Sequence, residues 1–314
     1  MLVNSLKLSV LIPTLNAGEK WIELLESIKN QSIFIHKKII IDSGSVDNTV
    51  AEAVDYGFEV KVISQDDFNH GRVRQQLVDL SGNADICIFL TQDAILATNN
   101  SIKNLVEAFS DPDVGLAYGR QLPHKNATAL ETHARLFNYP NHSSVRSYRD
   151  KYHLGFKVFF CSNSFAAYRK KALKIAGGFP SHSIMGEDAL VSAKMLMERF
   201  KIAYIADATV YHSHSYSTLA EFKRYFDTRV FHEQNPWLIV DYGKPTGEGI
   251  RFVRSEIKYV IRHDFKSILK SITSLGAKWL GYKSGKYYKQ LPHSVLRKLS
   301  MHKHYWKENN STTK

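Results

Sequence analysis

Along its first 110 residues the chain switches repeatedly between two hydrophobic periods. "KLSVLIPTL" is a near-continuous apolar run stopped by Asn16, as expected of a strand buried on both faces. "WIELLESIKNQ" puts apolar residues at 21, 22, 24, 25 and 28, which is helical spacing. The pair recurs three times: "KIIIDSGS" before "DNTVAEAVDYG", "EVKVISQ" before "GRVRQQLVDLSG", and "DICIFLTQDA" before "SIKNLVEAFSD". Gly57 and Gly82 stand where the second and third helices should stop. This βαβαβαβα order predicts an α/β fold, a Rossmann-like, mostly parallel sheet flanked by helices. Such sheets bind ligands beyond the carboxyl ends of their strands.

Those ends are polar here. Thr14 and Asn16 follow the first strand, Asp42, Ser43 and Gly44 the second, Gln65, Asp66 and Asp67 the third, and Gln92 and Asp93 the fourth. Four polar strand ends make one composite site. The usual phosphate loops are missing: no GxGxxG follows strand one, and no GxxxxGK[ST] occurs. In "DSGSVDNT", Gly44 permits a tight turn and Ser45 is placed to cap the next helix. "FLTQDA" leaves one carboxylate, Asp93, at the tip of an apolar strand.

The C-terminal third reads differently. "TLAEFKRYFDTRVFHEQ" is a helix stopped before Pro236, and "KPTGEG" (244–249) reads as a boundary, giving a catalytic domain over 1–245 and a helical extension over 246–314. In "FKSILKSITSLGAKWLGYK", Phe265, Ile268, Leu269, Ile272, Leu275, Trp279 and Leu280 follow helical spacing, with lysines opposite. Of the net charge of +12, residues 250–308 hold +11, from 14 Lys and Arg against Glu256, Asp264 and Glu308. A neutral body with a basic tail implies an anionic partner, a membrane surface or a nucleic acid. Amphipathic helices of this kind lie on anionic membranes, or else pack on the catalytic domain or pair between subunits of a homo-oligomer. No run approaches the length of a membrane span. The N-terminal apolar stretch runs into Pro13 and reads as a first strand, not a signal peptide. Cys87 and Cys161 lack CxxC spacing, which fits a reducing, cytoplasmic location.

Five stretches in order, "SVLIPTLN", "IIIDSGSVDNT", "FLTQDA", "SNSFAAYRKKALKIAGGF" and "GEDALVSAKML", resemble family 2 glycosyltransferases with the GT-A fold. "FNHGRVRQ" (68–75) is similar to a stretch of the family's bacterial rhamnosyltransferases of polysaccharide and O-antigen synthesis, which use dTDP-L-rhamnose. The resemblance implies an inverting, metal-dependent hexosyl or deoxyhexosyl transfer from a nucleotide sugar to a lipid-linked saccharide. It implies donor contacts from Pro13, Thr14, Asn16, Asp42, Ser43, Gly44, His70, Gly71, Arg74 and Gln92. It assigns the catalytic base to Asp188, with Glu187 orienting the acceptor or the base. The family's Asp-x-Asp becomes Thr91-Gln92-Asp93, which keeps only the last carboxylate. Asp93 and His212 are then the ligands of Mg²⁺ or Mn²⁺, and His214 touches a phosphate or the acceptor.

Three other readings compete: a UDP-sugar donor, a nucleic-acid-binding protein using the tail, and a scaffold that lost activity with the first Asp of its motif. No nucleic-acid motif is present, so no nucleic-acid partner is expected. Intact Asp93 and Asp188 argue against lost activity. A lipid-linked acceptor places the enzyme on the inner face of the cell membrane, with residues 250–308 on the anionic surface.

Overall fold

The computed structural model describes residues 5–243 and 247–308. The boundary expected at 245/246 lies outside those residues. The chain forms two compact units. One comprises residues up to His124, Asn138–His182 and Glu187–His212; the other comprises Lys125–Phe137, Ser183–Gly186 and the chain from Ser213 on.

The first unit opens with β1 (Leu8–Thr14), α1 (Lys20–Lys29), β2 (Lys37–Asp42), α2 (Thr49–Asp55), β3 (Glu59–Val62), α3 (His70–Leu80) and β4 (Ile86–Leu90). It continues through β5 (Ile95–Leu96), α4 (Ser101–Val106) and β6 (Val114–Leu122). After α5 (Ala129–Asn138), all but its last residue in the second unit, come β7 (Ser144–Arg146), α6 (Lys151–Leu154), β8 (Phe165–Arg169), α7 (Lys170–Ile175), α8 (Glu187–Met197) and β9 (Lys201–Tyr211). The nine strands make one sheet ordered β3-β2-β1-β4-β8-β6-β9-β5, with β7 on β9. β3, β2, β1 and β4 are parallel, and β8 runs against both β4 and β6. β9 runs parallel to β6, so the sheet is mostly parallel, as the alternating pattern predicts.

The continuous apolar runs are explained by burial. All five residues of β4 are buried, and Trp21, Leu24 and Leu25 of α1 pack into the core that Val10 and Ile12 of β1 share. Each large side chain buried this way contributes roughly 1.5–3 kcal/mol. The turn after β2 departs from expectation. Ser45 does not cap α2; Asn48 holds the N-cap position, and Ser45 turns back to donate its hydroxyl to Asp42.

The second unit is helical. It contains most of α5, then α9 (Thr218–Gln234), α10 (Trp237–Tyr242), α11 (Glu248–His263), α12 (Ile268–Gly285), α13 (His293–Leu299) and α14 (Tyr305–Glu308). α9 and α12 meet backbone to backbone. A Cβ added at Gly281 would lie 2.2 Å from the Phe222 carbonyl oxygen, and one at Gly285 would lie 2.6 Å from that of Phe226. No helix among the described residues is long and apolar enough to cross a membrane.

Candidate active site

Four strand ends and the start of α8 supply the site. Thr14 and Asp42 are register partners on β1 and β2. Thr14 Oγ1 donates to Asp42 Oδ2 at 2.9 Å, and the Gly44 and Ser45 amides donate to Asp42 Oδ1 at 3.0 and 2.7 Å. The carboxylate is fully buried and its lone pairs are taken by its own turn. Asn16, in the left-handed region at φ 44°, accepts from the Val46 amide at 2.9 Å and gives its own N–H to Ser45 Oγ at 2.7 Å. Gln92 is tied in the same way: it accepts from the Leu15 amide at 2.8 Å and donates to the Leu15 carbonyl at 3.1 Å. Asp42, Asn16 and Gln92 therefore shape the β1, β2 and β4 ends through these bonds. Ser43 Oγ is buried without a hydrogen-bond partner among the described residues.

Asp93 stands just beyond that clamp. Its Oδ1 lies 3.4 Å from Nε2 of buried His212. Gln121 donates its amide to Ser162 Oγ at 2.9 Å, so its oxygen accepts from His212 Nδ1 at 2.9 Å. Nε2 is then the lone-pair nitrogen, facing a carboxylate. A cation shared between the two satisfies that arrangement. A buried imidazole held from behind by an amide is the usual support of a metal-ligating histidine. His214 follows two residues later, in the second unit. One carboxylate with an imidazole suits a borderline divalent ion such as Mn²⁺ at least as well as Mg²⁺.

Asn69 caps α3, its side chain accepting from the Gly71 and Arg72 amides at 3.1 Å each. Gly71 leaves no room for a side chain, because a Cβ there would lie 1.8 Å from the Pro180 carbonyl oxygen. Arg74, one turn further on, is buried. Its Nη1 lies 3.0 Å from Glu187 Oε1 and donates to the His70 carbonyl at 3.2 Å. Asn163 joins this network twice: its side chain donates to Glu187 Oε1 at 3.2 Å and its amide to Asp188 Oδ2 at 3.2 Å. The Tyr168 hydroxyl fixes Asn163 by donating to Oδ1 at 2.7 Å.

Two adjacent carboxylates thus meet opposite fates. Burial pushes Asp188 up to about 6, the Glu187 charge adds to the rise, and Arg74 opposes it. Burial works on Glu187 too, but Arg74, with His70 and Asn163, prevails and holds it below the usual carboxylate value. Neighbouring acids pushed apart in this way mark a charged partner and a proton acceptor.

The family model "Glycosyl transferase family 2" matches residues 9–175, and the O-antigen chain rhamnosyltransferase RfbN of Salmonella typhimurium is 48% identical over 302 residues, 96% of each chain. The chain belongs to glycosyl transferase family 2. The O-antigen chain rhamnosyltransferase WbaN of Salmonella anatum is 43% identical over 299 residues, 95% of each chain. Among solved structures, a mannosyltransferase from Pyrobaculum calidifontis, in complex with GDP-Man and Mn²⁺, has a TM-score of 0.58 at 14% identity, over 99% of this chain and 89% of that one. S. aureus TarS 1–349 in complex with UDP-GlcNAc gives 0.52 at 13%, over 90% and 92%. At such identities these two show the fold, the GT-A arrangement of the family. A nucleotide-sugar donor and a saccharide acceptor follow from the family, as does glycosyltransferase activity.

Within this family 2 enzyme, the site residues named from sequence fall into two sets. Asp93 with His212, and Glu187 with Asp188 and Arg74, are side-chain clusters, and the rest shape the strand ends or line them. Arg74 reaches a donor phosphate only by sharing or leaving its ion pair with Glu187. Three contributors had no signal in spacing. Gln121, Asn163 and Tyr168 act on side chains and amides elsewhere, on partners 24 to 91 residues away for the first two. Asn163 lies in "SNSFAAYRKKALKIAGGF", one of the stretches that carry the family resemblance, which assigned it no role.

Proposed function

We propose that the chain is an inverting rhamnosyltransferase. It moves L-rhamnose from dTDP-L-rhamnose to a lipid-linked saccharide in cell-surface O-antigen synthesis, on the cytoplasmic face of the membrane. The observation that supports the sugar and the pathway is its 48% identity to RfbN across nearly the whole of both chains, while the dTDP carrier rests on the resemblance of "FNHGRVRQ". The chemistry rests on Asp188. Its raised pKa and its place at the start of α8 suit a base that takes the acceptor hydroxyl's proton. As that proton leaves, the acceptor oxygen bonds to C1 of the sugar from the face opposite dTDP, and the C1–phosphate bond breaks. Glu187 keeps Arg74 and Asn163 in place and, by its charge, keeps Asp188 basic.

Donor contacts are assigned to the ends of β1 and β2 (Pro13, Thr14, Ser43 and Gly44) and to His70 and Gly71. Asn16, Asp42 and Gln92 hold those loops in shape. Asp93 and His212 are the proposed ligands of Mg²⁺ or Mn²⁺, and His214 is assigned to a phosphate or the acceptor. What such a cation supplies when bound is neutralisation of the charge that develops on the leaving diphosphate. The chain's own residues suit such an ion, with a carboxylate and a supported imidazole side by side. The basic segment 250–308 is assigned to an anionic membrane surface, which brings the site to an acceptor that stays in the bilayer.

A thermal-shift panel of nucleotide sugars, with and without Mn²⁺, tests the donor. A ligand that binds the native state raises apparent stability by mass action. dTDP-L-rhamnose should give the largest metal-dependent shift. A larger shift with a UDP-sugar would replace the donor and leave the family untouched.

A further inference from the structure

The tail's sequence pattern and its packing point in opposite directions. On α12 the buried positions are Ser271, Ser274, Ala277, Gly281 and Gly285, a stripe of small residues spaced along one helix face. That stripe faces α9 closely enough to exclude a Cβ at Gly281 and Gly285. The large apolar residues are therefore turned outward. Leu269, Ile272, Trp279 and Leu280 of α12, with Phe265 in the turn before it, are between half and about 70% exposed. They lie on the face opposite the small stripe. A helix held by its small residues and showing its large ones inverts the usual arrangement of a surface helix.

The charge around this ridge is mostly of one sign, with Asp264 beside Phe265 an exception. Of the 14 basic residues in 250–308, all but Lys278 are exposed. Lys278 turns inward, 3.4 Å from Glu221 and 3.9 Å from Glu256. Glu256 is itself buried, so that acid does not offset the surface charge. Lys266 and Lys270 flank the ridge near its start. Lys283 and Lys286 flank it near its end, with Lys283 Nζ 5.8 Å from the centre of the Trp279 ring.

We infer that this outward ridge of α12, Phe265, Leu269, Ile272, Trp279 and Leu280, is a preformed wedge that inserts into an anionic lipid bilayer. The inference rests on the membrane reading above and deepens it by naming the inserting face. The helix lies in the plane of the interface. Its apolar side chains enter the acyl boundary, Trp279 sits at the level of the headgroups, and the flanking lysines reach the lipid phosphates. Because α9 already holds the helix, no folding on binding is required, and the ordering entropy that weakens coupled folding is avoided.

Co-sedimentation of the full chain tests this, with vesicles of phosphatidylcholine alone and of phosphatidylcholine mixed with phosphatidylglycerol. Wild type should bind the anionic vesicles, keep part of that binding in high salt, and show a blue shift of tryptophan emission. The triple variant Leu269→Ser/Ile272→Ser/Trp279→Ser should lose about tenfold or more in partitioning, with the salt-resistant part gone and the thermal midpoint unchanged. Lys270→Glu/Lys286→Glu should instead lose the salt-sensitive part. If wild type binds anionic vesicles and the triple variant binds equally, the wedge is wrong while the membrane reading stands. If wild type binds no vesicles at low salt, the membrane reading itself fails. A wild-type dimer that the triple variant converts to monomer, with no change in vesicle binding, would make the ridge a subunit contact and overturn the proposal.

Discussion

Two buried acidic regions of the first unit, the corner at Asp42 and the start of α8, contrast sharply. Asp42 accepts from Thr14 Oγ1, from the Gly44 and Ser45 amides and from Ser45 Oγ, and no acid stands beside it in the chain. Asp188 accepts from two amides, those of Asn163 and Ala189, and shares its turn with the charge of Glu187. A carboxylate surrounded by donors is a structural anchor, because nothing in its environment rewards taking a proton. A carboxylate short of donors and beside a like charge is a proton acceptor held ready. Both sit at element ends, and their sequence contexts, "DSGS" and "GED", look equally functional.

The largest expected effect breaks the proton acceptor. Asp188→Asn keeps the shape but cannot take a proton, so kcat should fall by about 10²–10⁴ while donor affinity stays close to wild type. Steady-state rates with calorimetric donor binding separate the two quantities. Near-normal turnover would remove Asp188 from the base role and dissolve the contrast.

Next comes the carboxylate outside both regions. Asp93→Ala should abolish most of the metal-dependent part of donor binding, and His212→Ala should do so less severely. Gln121→Met, which takes away the support behind His212, should weaken metal affinity by about 10–100-fold without touching a ligand. Titration with Mn²⁺ followed by calorimetry reads all three. Wild-type donor affinity indifferent to EDTA would refute the assignment of these residues.

Asp42 gives a smaller effect of another kind. Asp42→Asn can keep an oxygen on the Gly44 and Ser45 amides, but it turns an NH2 towards the Thr14 and Ser45 hydroxyls that now donate to Oδ2 and removes the charge that strengthens all four bonds, costing on the order of 1–2 kcal/mol of stability. Thermal unfolding should show the loss, and turnover below the new midpoint should survive. An unchanged midpoint with lost donor binding would instead return Asp42 to the nucleotide contact that the family resemblance implies.

This contrast also marks how far the sequence could be read. The parallel half of the sheet was legible because each of its strands is a local apolar run and each connection a local helix. Asp188 and Asp93 were legible because a charge at the end of an apolar element stands out. The family resemblance already separated Asp188, as base, from Asp42, as donor contact, but the environments that set them apart were not legible, since they depend on Asn163, Arg74 and Thr14 arriving from elsewhere in the chain. The resemblance made Arg74 a donor contact, and its ion pair with Glu187, 113 positions away, was not legible beside it. On α12 the amphipathic pattern was plain, but which face packs was decided by the glycines and by the closeness of α9.

The smallest expected effect is the most specific. Transfer needs Asp188 ionised, so its raised pKa of about 6 should give kcat/KM an acidic limb near that pH, with activity rising above it. The sign for stability is the reverse. A carboxyl whose folded pKa exceeds its unfolded value favours the folded state at low pH, so this group's contribution declines as pH rises towards 6. Glu187→Gln removes the like charge and leaves Arg74 to act on Asp188 alone, and both changes favour the ionised form. The limb should therefore move to lower pH, whatever the absolute rate becomes once the buried ion pair is broken. A pH profile of kcat/KM for wild type and Glu187→Gln, normalised to each plateau, measures the displacement. A limb that stays put, or moves up, would mean that Glu187 does not set the basicity of its neighbour, and that burial alone raises Asp188.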